Sequence, residues 1–137
     1  MKKFNGFHIV FPGLFKILAK GVTAITLWPF VFYKSDALAY RERTVVHETI
    51  HIRQQTEVGI IAIILYVILV ALTGVWFGSM LILPLFYYLY VMHWLILIPR
   101  VGSKEAYYQI CFEHEAYTHQ YDISKRSPFG WIKYFAL

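Results

Sequence analysis

From Val58 to Pro99 the chain carries no Lys, Arg, Asp or Glu, and no other feature restricts its fold so tightly. One crossing of a bilayer takes about 20 apolar residues, so this run is long enough for two. A soluble core would need far more chain to cover such a hairpin than the 137 residues present, which suffice for one domain. Composition agrees. Only 15% of residues are charged, against about 25% in a soluble domain. The run divides at "LTGVWFGS", giving expected transmembrane segments of about 58–73 and 75–98. Pro84 lies inside the second, where a membrane helix tolerates a kink.

All 13 Lys and Arg lie outside the run, on either side of it. The positive-inside rule then places both termini in the cytoplasm and the hairpin tip outside. The net charge of +5 is read as topology and contact with anionic lipid, not as a nucleic-acid footprint. The opening "MKKFNGFHIVFPGLF" has the lysines of a signal peptide, but Gly6, Pro12, Gly13 and Lys16 break its apolar stretch. It is therefore expected in the mature protein. The single cysteine, Cys111, has no partner for an internal disulfide.

Residues 1–20 mix glycine, proline, lysine and aromatics and are expected along the membrane surface. "GVTAITLWPFVFY" (21–33) is β-branched and aromatic, which predicts an extended or hairpin segment, with Pro29 at an edge or bulge. A helix is expected from Asp36, or afresh from Thr44, into the first membrane segment. After the break "PRVGS", Ser103 is expected to cap one helix of about twenty residues. The ending "SKRSPFGWIKYFAL" has the composition of an interfacial anchor, with Lys125, Arg126 and Lys133 on lipid headgroups. His93, inside the second segment, is expected to hydrogen-bond a neighbouring helix.

Chemistry concentrates in "TVVHETIHIRQQTE" (44–57), which contains His47-Glu48-Thr49-Ile50-His51. On a helix, residues four apart share a face, so both imidazoles reach one ion. Glu48 sits about 100° around, beside the ion, where it can take a proton from water. A catalytic zinc wants a third protein ligand and an open position. "CFEHEAYTHQ" is the dense supply, offering Glu113, His114, Glu115 and His119. Glu113 and Glu115 lie about 200° apart on a helix, so both cannot face one ion.

Two motifs together, "HETIH" (47–51) and "FEHEAY" (112–117), resemble the gluzincin pattern of HExxH followed by Glu-x-x-Ala-Asp or Glu-x-Glu-Ala-Asp. That pattern belongs to membrane zinc proteases related to the HtpX heat-shock protease and the CAAX prenyl proteases. A finer resemblance is to small bacterial membrane proteins sharing "TLWPF", HExxHxxQQxE, two apolar segments, "FExEAY" and an Arg-x-x-x-x-Trp-x-Lys-Tyr ending. The chain has "TLWPF" at 26–30, "HETIHIRQQTE" at 47–57 and "RSPFGWIKY" at 126–134. The resemblance implies a single zinc ion on His47, His51 and Glu113, with Glu115 as the alternative third ligand and Glu48 as general base. Tyr117 stands where the larger proteases have a supporting Asp; it either donates to the oxyanion or packs.

The expected architecture is a mainly α membrane protein of one domain, 1–137. A two-helix transmembrane hairpin carries cytoplasmic helical extensions that form a zincin-like site, with a short N-terminal β or extended segment. The expected function is a membrane-integrated zinc metallopeptidase of the bacterial inner membrane, multi-pass, with its active site on the cytoplasmic side. Its partners are a peptide or membrane-protein substrate and the lipid bilayer, with no nucleic acid. The strand-like "ITLWPFVFY" offers an edge that aligns a peptide by main-chain hydrogen bonds. The alternative is a non-catalytic metal- or partner-binding membrane protein that retains the zinc site. A di-iron oxygenase would need more histidine clusters than six histidines supply.

Overall fold

The computed structural model describes residues 3–18 and 20–135; Lys2 and the last two residues of the C-terminal stretch lie outside them. The chain is mainly helical with one small sheet. Strands β1 (Phe7–Val10), β2 (Ala24–Leu27) and β3 (Phe30–Tyr33) come first. Helices α1 (Asp36–Ala39), α2 (Glu42–Thr73), α3 (Trp76–Ser79), α4 (Leu85–Val101), α5 (Ser103–Gln109) and α6 (Cys111–His119) follow.

Helix α2 is the axis. No Gly or Pro interrupts it before Gly59, Glu42 places a negative charge in its first turn, and Gly74 ends it in the left-handed conformation at φ 68°. Its two halves are packed oppositely. The first buries polar side chains, among them His47, Glu48, His51, Gln54 and Gln55. The second exposes apolar ones: Ile60, Ile63, Ile64 and Val67 are each more than half exposed. A water-soluble helix does the reverse. By length and composition α2 is able to cross a membrane.

The sheet has the order β1-β3-β2, with β1 parallel and β2 antiparallel to β3. Of the extended or hairpin forms expected for 21–33, the structure shows a hairpin over residues 24–33, and Pro29 lies not at an edge or bulge but in its two-residue turn, Trp28-Pro29, joined by a cis peptide. Phe7–Val10, in the N-terminal stretch, is a strand. One face of the sheet packs Val31 and Tyr33 against Ile52 of α2. The other face carries Phe7, Ile9, Leu27 and Phe30, all exposed.

Three expectations are corrected in detail. The second apolar segment is not one kinked helix. Trp76–Ile82 and Leu85–Val101 meet at 46°, and Pro84, which lacks an N–H, stands at the N-cap of α4. Helix 104–123 divides at Ile110, whose extended dihedrals (φ −53°, ψ 132°) restart the chain as α6. His93 of α4 compensates that break, because its Nδ1 accepts the freed N–H of Cys111 at 3.0 Å. As part of the same second correction, Ser103 is the first residue of α5, and its cap is Gly102.

The third correction concerns the C-terminal stretch. Arg126 and Trp131 are buried, not on headgroups. Arg126 forks onto Glu57 of α2 with two 2.8 Å bonds, and its Nε lies 3.1 Å from Glu115 Oε2. Trp131 Nε1 donates to Glu57 Oε2 at 3.1 Å, while its ring packs on Phe112. Gly130 runs so close to the Glu115 carboxylate that no Cβ fits there. The stretch is therefore a strap that locks α6 onto α2. Lys125 and Lys133 remain exposed.

Removing one partner from a buried ion pair leaves the other uncompensated, at a cost of about 3–5 kcal/mol. Arg126→Ala is expected to lose stability of about that size, measured by denaturant titration in detergent. Lys133→Ala, on the same strap but exposed, is expected to change little.

Candidate metal centre

The spacing of His47 and His51 puts both imidazoles on the inner face of α2, and α6 lays Glu113 across them. His51 Nε2 lies 3.2 Å from His47 Nε2. Glu113 Oε2 lies 3.3 Å from His47 Nε2, and Glu113 Oε1 lies 3.3 Å from His51 Nε2. All three residues are buried, and one donor atom from each falls within 4.8 Å of the others. Glu113 Oε2 accepts no hydrogen bond among the described residues. Two imidazoles and a carboxylate with an unused buried oxygen form a donor set that could hold a metal ion.

Glu115 faces the other way. Its Oε2 accepts from Gln54 Nε2 at 2.8 Å and lies beside Arg126. His114 packs on the Tyr134 ring, and His119 belongs to no metal-capable cluster among the described residues. Of the four candidates in the second motif, the structure brings only Glu113 to the histidine pair. Cys111 is buried and forms part of the apolar cluster around Phe112.

A second layer fixes the first. Gln54 Nε2 donates to Phe112 O and to Glu115 Oε2, so both its protons are used and its Oε1 must face His51. His51 Nδ1 donates to that oxygen at 2.8 Å, which leaves Nε2 of the neutral ring with its lone pair turned inward. Tyr90 of α4 donates to Glu113 Oε1 at 2.8 Å. The Tyr117 ring stands edge-on against His47, with centroids 4.6 Å apart; burial and the Glu113 charge push its phenol up to about 12. Nothing in the sequence singles out Tyr90. Gln54 and Gln55 are visible in it only as a polar extension of the helix face.

Glu48 is held from the sheet. Thr26 of β2 donates to its Oε2 at 2.6 Å. Lys34 N–H bonds Thr23 O on the β3 side, so strand alternation turns Ala24, Thr26 and Trp28 to the opposite edge. There Gln55 accepts from Trp28 N–H at 2.8 Å and donates to Thr26 O at 3.0 Å. Between this edge and the histidines lies a cleft of about 290 Å³, also walled by Phe86, Tyr90 and Tyr107. Thr26 lies within "TLWPF", but its bond to Glu48 joins segments 22 residues apart.

No protein-family model, curated protein or solved structure matches the chain.

In the metal-free protein His51 and Glu113 form a buried ion pair. Burial works against the His51 proton, but the neighbouring Glu113 carboxylate outweighs it and raises the imidazole to about 9. Burial likewise works against the Glu113 charge, but His51 and His47 hold its carboxyl well below the usual range. The raised imidazole contributes stability that is complete below 6.5 and lost as pH climbs through about 9. The depressed carboxyl contributes stability that is present above 4.5 and lost in stronger acid. Chelator-treated protein is thus expected to be steadiest between 4.5 and 6.5. Its thermal midpoint should fall from there to pH 9, and Glu113→Gln should flatten that fall; a level profile in the unsubstituted protein contradicts the pairing.

Proposed function

We propose that this chain is a membrane-integrated zinc peptidase, as its resemblance to the gluzincins implies. One observation carries the reading. Three donors from two distant helices converge in a buried trio, and a carboxylate and the part of a strand edge that Gln55 leaves open face the same cleft. Donors placed about 2.0–2.1 Å from a tetrahedral zinc are themselves about 3.3 Å apart. The trio's separations of 3.2, 3.3 and 3.3 Å fit that ion.

The helices α2 and α3–α4 are the two arms of a membrane hairpin, entering near Val58 and returning through Pro99. Basic residues on both flanks support a site and termini on the cytoplasmic side of a bacterial inner membrane. His51 precedes Val58 by two helical turns, so the trio stands about 10 Å above the membrane segment.

His47, His51 and Glu113 would hold the ion, which when bound would polarise the scissile carbonyl and the attacking water. Glu48 takes the proton of that water at Oε1, since Thr26 already occupies Oε2, and returns it to the leaving amine. The outer edge of β2 aligns the peptide through the main-chain groups of Ala24 and the Thr26 N–H, as strand addition requires. Gln55 fills the next two positions of that edge and so limits where a peptide can pair. Burial by α4, α6 and the strap keeps bulk water from the protein side of the trio.

Zinc stoichiometry and peptide hydrolysis of purified protein test this. Glu48→Gln is expected to keep one zinc while losing about 10²–10⁴-fold in rate. Glu113→Gln should lose the ion on dialysis, whereas Glu115→Gln should retain it and lose stability. Full hydrolysis by Glu48→Gln overturns the peptidase reading; zinc held equally by Glu113→Gln overturns the ligand set.

A further inference from the structure

A larger cleft of different character borders the one at the trio, on the side away from Gln55. It holds about 600 Å³ and lies between residues 20–24, the start of α2 and the pair α5–α6. Lys20, Arg41, Arg43 and Lys104 line it, against a single carboxylate, Glu48, among the described residues. That carboxylate is already bonded by Thr26. The cleft at the trio has the opposite lining, with Glu48 and Glu113 and no Lys or Arg. Ala24, His47 and Glu48 wall both.

The four cations come from three separate parts of the chain and are exposed. None of them pairs with a carboxylate among the described residues. Arg43 is held in place, its Nη1 donating to the Tyr121 hydroxyl at 3.3 Å. A space of this volume is about 8 Å across, no wider than the Debye length at physiological salt. Like charges around such a concave space focus their field inside it. Lipid headgroups do not account for them. Even a full 30 Å core measured back along α2 from Thr73 ends near Gln54, and the headgroups add about 6 Å. Arg43 and Arg41 stand about 10 and 13 Å beyond that, more than a Debye length.

The β2 edge indicates what enters. Gln55 occupies Trp28 N–H and Thr26 O, so a chain paired on this edge is stopped at that end and leaves past Ala24. Val22, Thr23 and Ala24 are also a wall of the basic cleft. Among the described residues no hydrogen bond or ion pair joins 20–24 to α5 or α6, so nothing polar bridges the way from the edge into the cleft.

We infer that the basic cleft is a subsite for acidic side chains, and that the substrate is a peptide with Asp or Glu on one side only of the bond cut. The cut rests on the peptidase reading; the binding rests on the cleft alone. Acidic residues there relieve the repulsion among four unpaired cations. On the other side the chain meets Gln55 and Phe86, where charge gains nothing.

The test uses zinc-loaded full-length protein in phosphatidylcholine nanodiscs with libraries of amidated peptides, the cuts being mapped by mass spectrometry. Asp and Glu should be enriched on one side of the cut. A peptide with two Glu there should exceed its Gln counterpart at least tenfold in kcat/KM at low salt, and the ratio should shrink as salt screens the cleft. Arg43→Gln/Lys104→Gln should lower that ratio at least fivefold. Lys125→Gln/Lys133→Gln removes the same charge outside the cleft and should leave the ratio as it is. Enrichment on neither side or on both equally, or an equal drop in the two double variants, overturns the subsite.

If no peptide is cut, the peptidase reading fails, and the cleft is read by binding. Fluorescent hexaglutamate and hexaglutamine are titrated against the same nanodiscs by anisotropy. Hexaglutamate should bind at least tenfold more tightly, and Arg43→Gln/Lys104→Gln should lose that margin. Equal binding of the two peptides, or a margin that survives the double variant, overturns the subsite whatever the hydrolysis shows. Phosphatidylglycerol that copurifies with the unsubstituted protein and is lost from the double variant assigns the cations to lipid and overturns it too.

Discussion

The rest of the structure depends on the requirement that buried polar groups be satisfied along the first half of α2. Two imidazoles, two glutamines and two glutamates are withdrawn from water there, and each would be costly if left without a partner. A relay meets that need. Arg126 pairs with Glu57 and Glu115, Glu115 holds Gln54, and Gln54 holds His51. It joins the C-terminal strap, α6 and α2, so the side chains that orient the candidate site are also those that clamp the helices together. Breaking any link would loosen both at once. That coupling explains why a chain of 137 residues can hold three donors in register without a large apolar core.

Much of this was legible in the sequence, for reasons that differ between elements. The HExxH spacing carries its own geometry, because four residues on a helix make one face. The uncharged run announces itself by length. The opposition of Glu113 and Glu115 also follows from helix rotation, although which of them faces the histidines does not. That is set by the restart at Ile110, whose dihedrals fix the rotation of α6 and which no local propensity signals. The roles of Arg126 and Trp131 were hidden for a similar reason. Lysine, arginine and aromatics near a chain end have the composition of a lipid contact, and only the fold shows Glu57 and Glu115 waiting for them. Thr26 and Tyr90 reach the site from 22 and 23 residues away, across elements whose docking is not written in either segment.

The two halves of α2 differ in what they cover and what they leave bare. Its polar half is covered by the sheet, α6 and the strap, and its apolar half is left bare. The change falls between Thr56 and Ile60, where Trp28 and Gly59 also lie. A boundary marked at the same level by burial, by charge and by an aromatic turn is better specified than any of the three alone.

Because α2 is a single unbroken rod from Glu42 to Thr73, His47, Glu48 and His51 share one rigid body. Their Cα positions keep their helical spacing, whatever the tilt of the helix. Glu113 rides on a different body, beyond the break at Ile110. Any adjustment in the spacing of the trio's backbone must therefore come through α6 and the strap that holds it.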